Sequence, residues 1–399
     1  MIAPATVALD TFLDAHFEEL VAFRRQVHAR PERSHEEFET TALVAQRLEV
    51  AGLHPLVLPS GTGLVCDIGA SDGTTVALRA DLDALSMLDE KNVHYRSQHE
   101  GVAHACGHDV HTTMVLGAGL ALARLLAARD AAGRVRLLFQ PAEEAVPGGA
   151  LDVIEAGGLD GVDAIFGLHC DPKLDTGQVG VRVGGITSAA DLIEIRLHGP
   201  GGHTARPKLT ADLVAIAGRV AAELPSLVRA REPELNVVFG AIHAGQAPNV
   251  IPSLAVVSGS ARTPDRGAWD GAAALVTEVL DTLVTPLGAT FELVHRRGAP
   301  PVNNDARATA LLDRAARRVL GDAAVVPTIQ SAGGDDFSWY LERVPGAYAR
   351  LGVHDPSSDR ARLDLHASMF DVDERAIAVG IRVLVQTSLD VLDDAVTNA

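Results

Sequence analysis

The sequence is poor in cysteine. Its 399 residues include only three, Cys66, Cys106 and Cys170. An odd and sparse set cannot form a disulfide framework, and it is typical of a protein that stays in a reducing compartment. We therefore expect a cytoplasmic protein in which Cys106 can remain a thiolate.

Positive charge is also scarce. Lysine and arginine together number 34 against 52 aspartate and glutamate residues, so the formal net charge is −18. A protein this acidic repels a phosphate backbone before any specific contact can form. We expect no nucleic-acid partner.

The first twenty residues lack a basic segment and a sustained apolar run. They carry acidic side chains instead, at Asp10, Asp14, Glu18 and Glu19. A secretory signal peptide needs a positive start before its apolar core, and a membrane anchor needs a longer apolar run. The segment therefore predicts neither, and we expect no membrane partner.

Length and patterning indicate two domains. A chain of 399 residues exceeds one ordinary core, and its 47% of hydrophobic residues suffice to fill two. Over residues 1–183 and 300–399, apolar strands alternate with amphipathic helices, which predicts an α/β domain whose sheet is covered on both faces. Residues 184–299 follow the order β-α-β-β-α-β, which predicts an inserted ferredoxin-like α+β domain.

A local pattern marks the start of the second helix. Ser34 is followed three residues later by Glu37, which is the spacing of a capping box. In that motif the two side chains bond to each other's backbone amides. The pattern predicts a helix from Ser34 to Gly52.

The run Cys106-Gly107-His108 offers a thiol and an imidazole on either side of one glycine. Both side chains can point into a loop just before a helix, whose positive end would lower the thiol pKa. Three interpretations are open. The two residues can be metal ligands, a buried cysteine beside a capping histidine, or a nucleophilic cysteine–histidine pair.

Further polar groups follow apolar strands. The pair Glu143 and Glu144 ends one, His169 closes another, and Asp81 and Asp83 end a third. Ligands of open α/β sheets bind in the crevice beyond such strand ends. Adjacent carboxylates diverge, so one of the pair can bind a metal while the other reaches a metal-bound water; a solvated turn is the alternative. His169 can be a ligand or a core histidine, and either aspartate can orient a ligating imidazole or merely cap a turn.

The predicted inserted domain carries its own candidates. His203 lies in a glycine-rich turn, Asn249 precedes an Ile-Pro pair by one residue, and Arg262 follows a strand. An imidazole and an amide suit a developing oxyanion, and an arginine suits a carboxylate. A hairpin turn with no chemical role is the alternative for His203.

As a set, these motifs resemble those of the aminoacylase-like metallopeptidases, which include hippurate hydrolases and indole-acetyl-amino-acid hydrolases. The resemblance covers nearly the whole chain. Its landmarks are Arg79-Ala80-Asp81-Leu82-Asp83-Ala84-Leu85, His104-Ala105-Cys106-Gly107-His108-Asp109, Phe139-Gln140-Pro141-Ala142-Glu143-Glu144, Gly167-Leu168-His169, Gly201-Gly202-His203, Asn249-Val250-Ile251-Pro252, Gly334-Asp335-Asp336-Phe337 and Leu365-His366. The resemblance implies a mixed-sheet catalytic domain with a dinuclear metal centre, and dimerisation through the inserted domain.

The resemblance also implies roles for the candidate residues. The implied ligands of two divalent metal ions are Cys106, His108, Glu144, His169 and His366, with Cys106 in the place of a bridging acid. Glu143 is the implied general base, which takes a proton from the attacking water and passes it to the leaving amine. His203 is implied to polarise the scissile carbonyl in the active site of a second copy, with Asn249 near the substrate.

The implied reaction is hydrolysis of the amide bond of an N-acyl amino acid, a small molecule. An aminopeptidase or dipeptidase of the same architecture is the nearest alternative, and Arg262 or Arg206 would bind an α-carboxylate in either case. A non-catalytic binding protein that keeps the fold is the alternative outside enzymes. Mixed sulfur, nitrogen and oxygen ligands favour Zn²⁺, although Mn²⁺, Co²⁺ and Ni²⁺ also bind such sites.

Overall fold

The computed structural model describes residues 3–128, 133–358 and 361–397, and the chain forms two compact units. The first comprises Met1–Ile186, Asn303–Ile329 and Trp339–Ala399, and the second comprises Thr187–Val302 and Gln330–Ser338. The sequence pattern predicts that residues 330–338 belong to the first domain. The structure groups them with the second unit, where the Gln330 amide donates to the backbone oxygens of Thr187 and Pro264.

Helices and strands alternate through most of the described chain. The α-helices in those ranges are α1 (Ala3–Ala29), α2 (Phe38–Val50), α3 (His108–Ala127), α4 (Ala150–Glu155), α5 (Leu213–Arg231), α6 (Arg266–Val284), α7 (Ala306–Leu320), α8 (Ser338–Leu341) and α9 (Arg375–Thr397). The strands are β1 (Leu56–Val57), β2 (Leu64–Gly69), β3 (Thr75–Asp81), β4 (Arg134–Gln140), β5 (Ala164–Asp175), β6 (Val179–Val181), β7 (Gly184–Gly185), β8 (Ala189–His198), β9 (Gly202–His203), β10 (Asn236–Ala244), β11 (Val250–Ile251), β12 (Leu254–Thr263), β13 (Thr290–Arg296), β14 (Asn303–Asn304), β15 (Val325–Pro327) and β16 (Gly346–His354). Short 3₁₀ turns occupy Pro207–Leu209, Thr285–Leu287 and Asp322–Ala324.

The first unit is built on a mixed sheet with the strand order β1-β2-β4-β3-β5-β16-β6-β15. Its central strands β4, β3, β5 and β16 run parallel, and β1 and β2 pair antiparallel with their neighbours. Strand β6 pairs antiparallel with β16 and parallel with β15. Every residue of β3 is buried, because helices cover both faces of a parallel sheet. The predicted mixed α/β sheet is confirmed.

The register of these strands brings their polar ends to one level. Asp81 at the end of β3 lies opposite Gln140 at the end of β4. Arg79 lies opposite Gly167 of β5, so His169 is level with Asp81. Residues that are far apart in the sequence therefore share one edge of the sheet.

The second unit contains a four-stranded antiparallel sheet with the order β10-β12-β8-β13. Along the chain its main elements follow the order β8, α5, β10, β12, α6 and β13, which is the order that the sequence predicts. Apolar side chains of α5 and α6, including Leu224 and Leu280, pack with Ile195 and Val257 of the sheet. A short ladder of β9 and β11 lies outside this sheet.

Helix α3 is long and apolar enough to cross a membrane, judged by length and composition alone. It is the one such helix among the residues that the structure describes. However, 67% of its apolar window is buried inside the protein, where residues such as Met114 and Leu122 belong to the core. Core packing accounts for the apolar character of α3.

A buried ion pair ties α1 to the first turn of α3. Arg24 Nε donates to Asp109 Oδ2 at 2.6 Å, and His28 Nδ1 lies 2.7 Å from the same oxygen. Arg24 and Asp109 are 1% and 0% exposed, so neither charge has access to water. Because His108 is the neighbour of Asp109, this contact also anchors a candidate site residue.

Replacing Arg24 by methionine is expected to lower the free energy of unfolding by about 3 to 5 kcal/mol, because Asp109 would remain as a buried charge without its main partner. Denaturant unfolding measures the loss. Arg25 is the matched control, since it is 36% exposed and pairs with Glu374, so that Arg25→Met should cost only about 1 kcal/mol or less. Equal losses in the two variants would contradict the assignment.

Candidate metal centre

The segment between β3 and α3 supplies the first two candidate ligands. Cys106 precedes the helix, and His108 is its first residue. Gly107 between them has φ 90°, and a side chain there would place its Cβ 2.7 Å from Cys170 Sγ. Glycine is therefore required for the turn that sets Cys106 and His108 side by side.

The five candidate ligands fall into two overlapping sets. The ligand atoms of Cys106, His108 and His169 all lie within 4.8 Å of one another, and so do those of Cys106, Glu144 and His366. Cys106 belongs to both sets. The structure thus brings together all five residues that the sequence singled out, from segments spread over most of the first unit.

The two buried imidazoles are held in the same way. His108 Nδ1 lies 2.9 Å from the backbone oxygen of Asp83, and His169 Nδ1 lies 2.7 Å from that of Cys170. A carbonyl can only accept, so each Nδ1 carries a proton and Nε2 is the ring nitrogen that remains for a metal ion. His108 Nε2 is buried and has no hydrogen-bond partner among the described residues. His169 Nε2 faces Cys106 Sγ at 3.5 Å.

His111 lies close to these residues, but both of its ring nitrogens are already engaged in hydrogen bonds. Its Nδ1 lies 2.7 Å from Asp81 Oδ1, and its Nε2 accepts the backbone N–H of Cys170 at 2.9 Å. Asp81 in turn accepts from Arg79 Nη1 at 2.6 Å. This chain of contacts supports the strand that carries His169, and it leaves His111 outside the ligand set.

Asp83 holds the turn that carries the two glutamates. Its Oδ1 accepts the backbone N–H of Glu143 and its Oδ2 accepts that of Glu144, both at 3.0 Å. The Asp83 carboxylate also lies 3.4 Å from His108 Nδ1. One buried aspartate therefore contacts both the His108 imidazole and the backbone of the glutamate pair.

The glutamate side chains approach the same nitrogen from different positions. Glu143 Oε2 lies 3.8 Å and Glu144 Oε1 lies 4.0 Å from His108 Nε2. Glu144 Oε1 is also 3.3 Å from His366 Nε2. His366 has φ 63°, and its backbone N–H donates to the Ala105 oxygen at 2.8 Å, which joins this late segment to the Cys106 loop.

Burial and charge act on these groups in opposite directions. Burial raises the pKa of the Cys106 thiol from 9.0 to about 12, and it lowers the pKa of His169 well below 6.5. Burial alone would lower the pKa of His108, but Asp81, Cys106 and Asp83 together outweigh it and raise that pKa well above its usual value. A neutral thiol is a poor nucleophile, which argues against the cysteine–histidine nucleophile interpretation.

These groups fit a divalent transition-metal ion. A bound cation would convert the buried thiol into a thiolate and balance the carboxylates that surround His108. His169 Nε2 already faces the Cys106 thiol, and the donor set combines sulfur, nitrogen and oxygen. His108 Nε2, which has no hydrogen-bond partner among the described residues, is the atom that a metal ion would bind.

The sequence pattern predicts that His169 ends a strand, whereas β5 continues to Asp175. His169 is therefore an interior strand residue, which lies opposite Arg350 of β16. Leu168 is the last residue of the apolar run, but the backbone pairing with β16 extends beyond it. The apolar run therefore marks only the first part of the strand, since His169 and Cys170 beyond it are also buried.

In the second unit, the structure brings His203 and Asn249 together. His203 of β9 lies opposite Val250 of β11, and the backbone N–H of Thr204 donates to the backbone oxygen of Asn249 at 3.3 Å. His203 is exposed, and its Nδ1 accepts the Ala205 N–H at 3.0 Å. Its Nε2 therefore carries the ring proton and can donate.

Arg262 is not part of this pair. It lies within β12, which continues to Thr263, and not beyond the strand as the sequence analysis expected. Leu254 is the first residue of β12 and follows closely after β11. At 3.3 Å per residue, Arg262 is roughly 26 Å along the strand from Leu254. Its guanidinium donates to the Ala332 oxygen at 3.0 Å.

The predicted capping box is wrong, and its two side chains act at the glutamate turn instead. Ser34 Oγ donates to Asp83 Oδ2 at 2.7 Å, and Glu37 Oε1 accepts the Ala142 N–H at 2.7 Å. Helix α2 begins at Phe38, and Glu37 forms no side-chain cap. The capping-box pattern is local, whereas the Glu37 partner is 105 residues away in the sequence, so no local signal could have revealed it.

Comparisons with known proteins agree with this geometry. Residues 77–390 match the profile of peptidase family M20/M25/M40. An N-acetyl-L-cysteine deacetylase of Bacillus subtilis is 35% identical over 380 residues, which cover 94% of this chain and 89% of that protein. A Rhodococcus jostii protein with the provisional name glutamate–cysteine ligase 2-3 is 45% identical over 371 residues, or 92% of this chain; this chain spans about half of that relative's length, since the match covers 46% of it.

A solved structure is similar to this chain in both fold and sequence. The Bacillus subtilis YXEP protein, described as a dinuclear metal-binding peptidase from the M20 family, is 32% identical with a TM-score of 0.82. The match covers 95% of this chain and 99% of that one. On the family match and these identities, the chain belongs to peptidase family M20/M25/M40 and is a hydrolase of amide or peptide bonds.

Proposed function

We propose that this protein is a metal-dependent amidohydrolase that cleaves the amide bond of N-acyl amino acids. The observation that carries the proposal is the position of Glu143, a carboxylate beside a complete set of five metal donors. Its Oε2 lies 3.8 Å from His108 Nε2, while its neighbour Glu144 contacts His366. The deacetylase relative supports a small acylated amino acid as the substrate.

Two divalent ions would be held by the two overlapping donor sets, with Cys106 shared between them. The description of the YXEP protein as dinuclear supports this number. When bound, such ions polarise a carbonyl and acidify a water molecule. Zn²⁺ suits the thiolate and imidazoles best, and Mn²⁺, Co²⁺ and Ni²⁺ are the other candidates.

The side chains of the protein would supply the proton transfers and the positioning. Glu143 takes the proton of the attacking water and returns it to the leaving amine. Asp83 keeps Glu143 in place through its backbone N–H. The Nε2–H of His203, contributed by a second copy of the chain, donates to the developing oxyanion, with Asn249 beside it. Arg262 carries a permanent charge that suits the substrate carboxylate.

Exposed apolar side chains on an edge strand support a homodimer through the second unit. Strand β10 lies at the edge of its sheet, where Val238 and Ile242 are 55% and 46% exposed. An edge strand with exposed apolar side chains is a template for pairing with another chain. All three cysteines are free and buried, which suits the cytoplasm.

Metal removal and re-addition test the proposal. Protein stripped with a chelator should lose its turnover of N-acetyl-L-cysteine and related N-acyl amino acids, and should regain it with Zn²⁺, Mn²⁺, Co²⁺ or Ni²⁺. Elemental analysis should find two ions per chain in the active form. Metal binding without turnover of any amide would favour a binding protein and contradict the proposal.

A peptidase is the second candidate, because the YXEP protein is described as one. Comparing kcat/KM for N-acetyl and N-benzoyl amino acids with that for dipeptides separates the two candidates. We expect the acylated amino acids to be preferred. A preference for dipeptides would assign the chain to the peptidase alternative.

A further inference from the structure

Two buried carboxylates hold three consecutive backbone amides beside the metal centre. Glu37 accepts the N–H of Ala142, and Asp83 accepts those of Glu143 and Glu144. Glu37 comes from the segment before α2, far from this turn in the sequence. The backbone of the glutamate pair is thus fixed from two directions.

Ala142 is the residue of this turn that most needs support. Its φ is 53°, in the left-handed region that residues with a Cβ rarely adopt, and its side chain is fully buried. Such a conformation persists only where neighbouring groups enforce it. The 2.7 Å hydrogen bond from the Ala142 N–H to Glu37 Oε1 is a contact that can do so.

A buried glutamate at position 37 is unfavourable unless its carboxylate makes a hydrogen bond that the turn requires. It is 0% exposed, and burial, followed by the Asp83 charge, raises its pKa from 4.5 to about 7. An apolar side chain would fill the same space without this cost. Besides Ala142, its Oε1 accepts the N–H of His35, at 3.0 Å, so the carboxylate also ties its own segment to the turn.

We propose that Glu37 is a positioning residue for the hydrolytic reaction, which holds Ala142 in the left-handed conformation and thereby aims the Glu143 carboxylate. The inference rests on the proposed function, in which Glu143 is the base. Glu144 depends less on Glu37, because Asp83 Oδ2 holds its N–H separately. Glu37 should therefore affect proton transfer more than metal binding.

Glu37→Ala is expected to lower kcat about 100-fold, the scale of a misplacement of about 1 Å at a reacting group. KM and the metal content should stay near the wild-type values. Glu36→Ala is the matched control, since Glu36 is the exposed neighbour of Glu37 and should leave all three quantities unchanged. Wild-type kcat in Glu37→Ala, or loss of metal in parallel with activity, would overturn the inference.

A second substitution tests the mechanism of the effect. Glycine adopts positive φ without the Cβ penalty, so Glu37→Ala/Ala142→Gly should recover about tenfold of the lost kcat. Glu37→Gln keeps an oxygen acceptor and is expected to lose only about tenfold, which provides an active variant if Glu37→Ala does not fold. Adding Ala142→Gly to Glu37→Gln should again raise kcat, and failure of glycine to raise kcat in both backgrounds would overturn the inference.

Amide hydrogen exchange separates this inference from the proposed function. In metal-free protein, the peptide that contains Ala142 should exchange faster in Glu37→Ala than in wild type or in Glu36→Ala. Unchanged exchange would overturn the positioning role whatever the activity. Faster exchange together with a wild-type protein that hydrolyses no amide would instead reject the proposed function.

Discussion

Glu143→Ala is expected to lower kcat by about 10²- to 10⁴-fold while the protein keeps its metal ions. The range is that of a general base whose proton transfer limits the rate. The five donors of the two overlapping sets are untouched by this substitution. Elemental analysis together with steady-state kinetics on an N-acyl amino acid measures both quantities.

Two companion variants sharpen the Glu143 experiment. Glu143→Gln keeps the size of the side chain and removes only the base, so its kcat should fall as far as that of Glu143→Ala. Glu144→Ala should instead lose metal, because Glu144 lies within 3.3 Å of His366 in a donor set. Full activity in Glu143→Gln would exclude Glu143 as the base.

His108→Ala is expected to remove metal and activity together. His108 Nε2 is the buried nitrogen that lacks a hydrogen-bond partner among the described residues, and the ring is already fixed through Nδ1. Removing a ligand should weaken metal binding by more than the roughly 10- to 100-fold that follows the loss of a supporting residue. Titration of stripped protein with Zn²⁺ measures the change.

Two further variants complete the His108 experiment. His94→Ala is the control, since His94 is exposed and belongs to neither donor set. Cys106→Ser keeps the shape of the side chain but replaces a soft sulfur by a hard oxygen, so the preference should move from Zn²⁺ towards Mn²⁺. Retention of both ions in His108→Ala would exclude His108 as a ligand.

Much of the fold was predictable from the sequence, because buried strands and amphipathic helices leave strong local patterns. The β-α-β-β-α-β order of the second unit is an example. These patterns do not show where backbone pairing continues beyond the apolar run of a strand. Strand β5 continues past His169 to Asp175, although its apolar run stops at Leu168.

The candidate site was predictable as a set of residue types but not as a set of contacts. Cys106, His108, Glu144, His169 and His366 all lie in the two donor sets. By contrast, Ser34 and Glu37 match a capping box, yet their partners are Asp83 and Ala142. A tertiary contact can override a local capping pattern, and the sequence does not reveal that contact.

The order of the proposed ligands along the chain has a consequence for biogenesis. Cys106, His108, Glu144 and His169 precede the second unit, while His366 follows it and joins the Cys106 loop through Ala105. During synthesis from the amino terminus, the donor set of Cys106, Glu144 and His366 stays incomplete until the second unit has been made. We therefore expect loading of the second ion to be a late event of maturation, which follows folding of the whole chain.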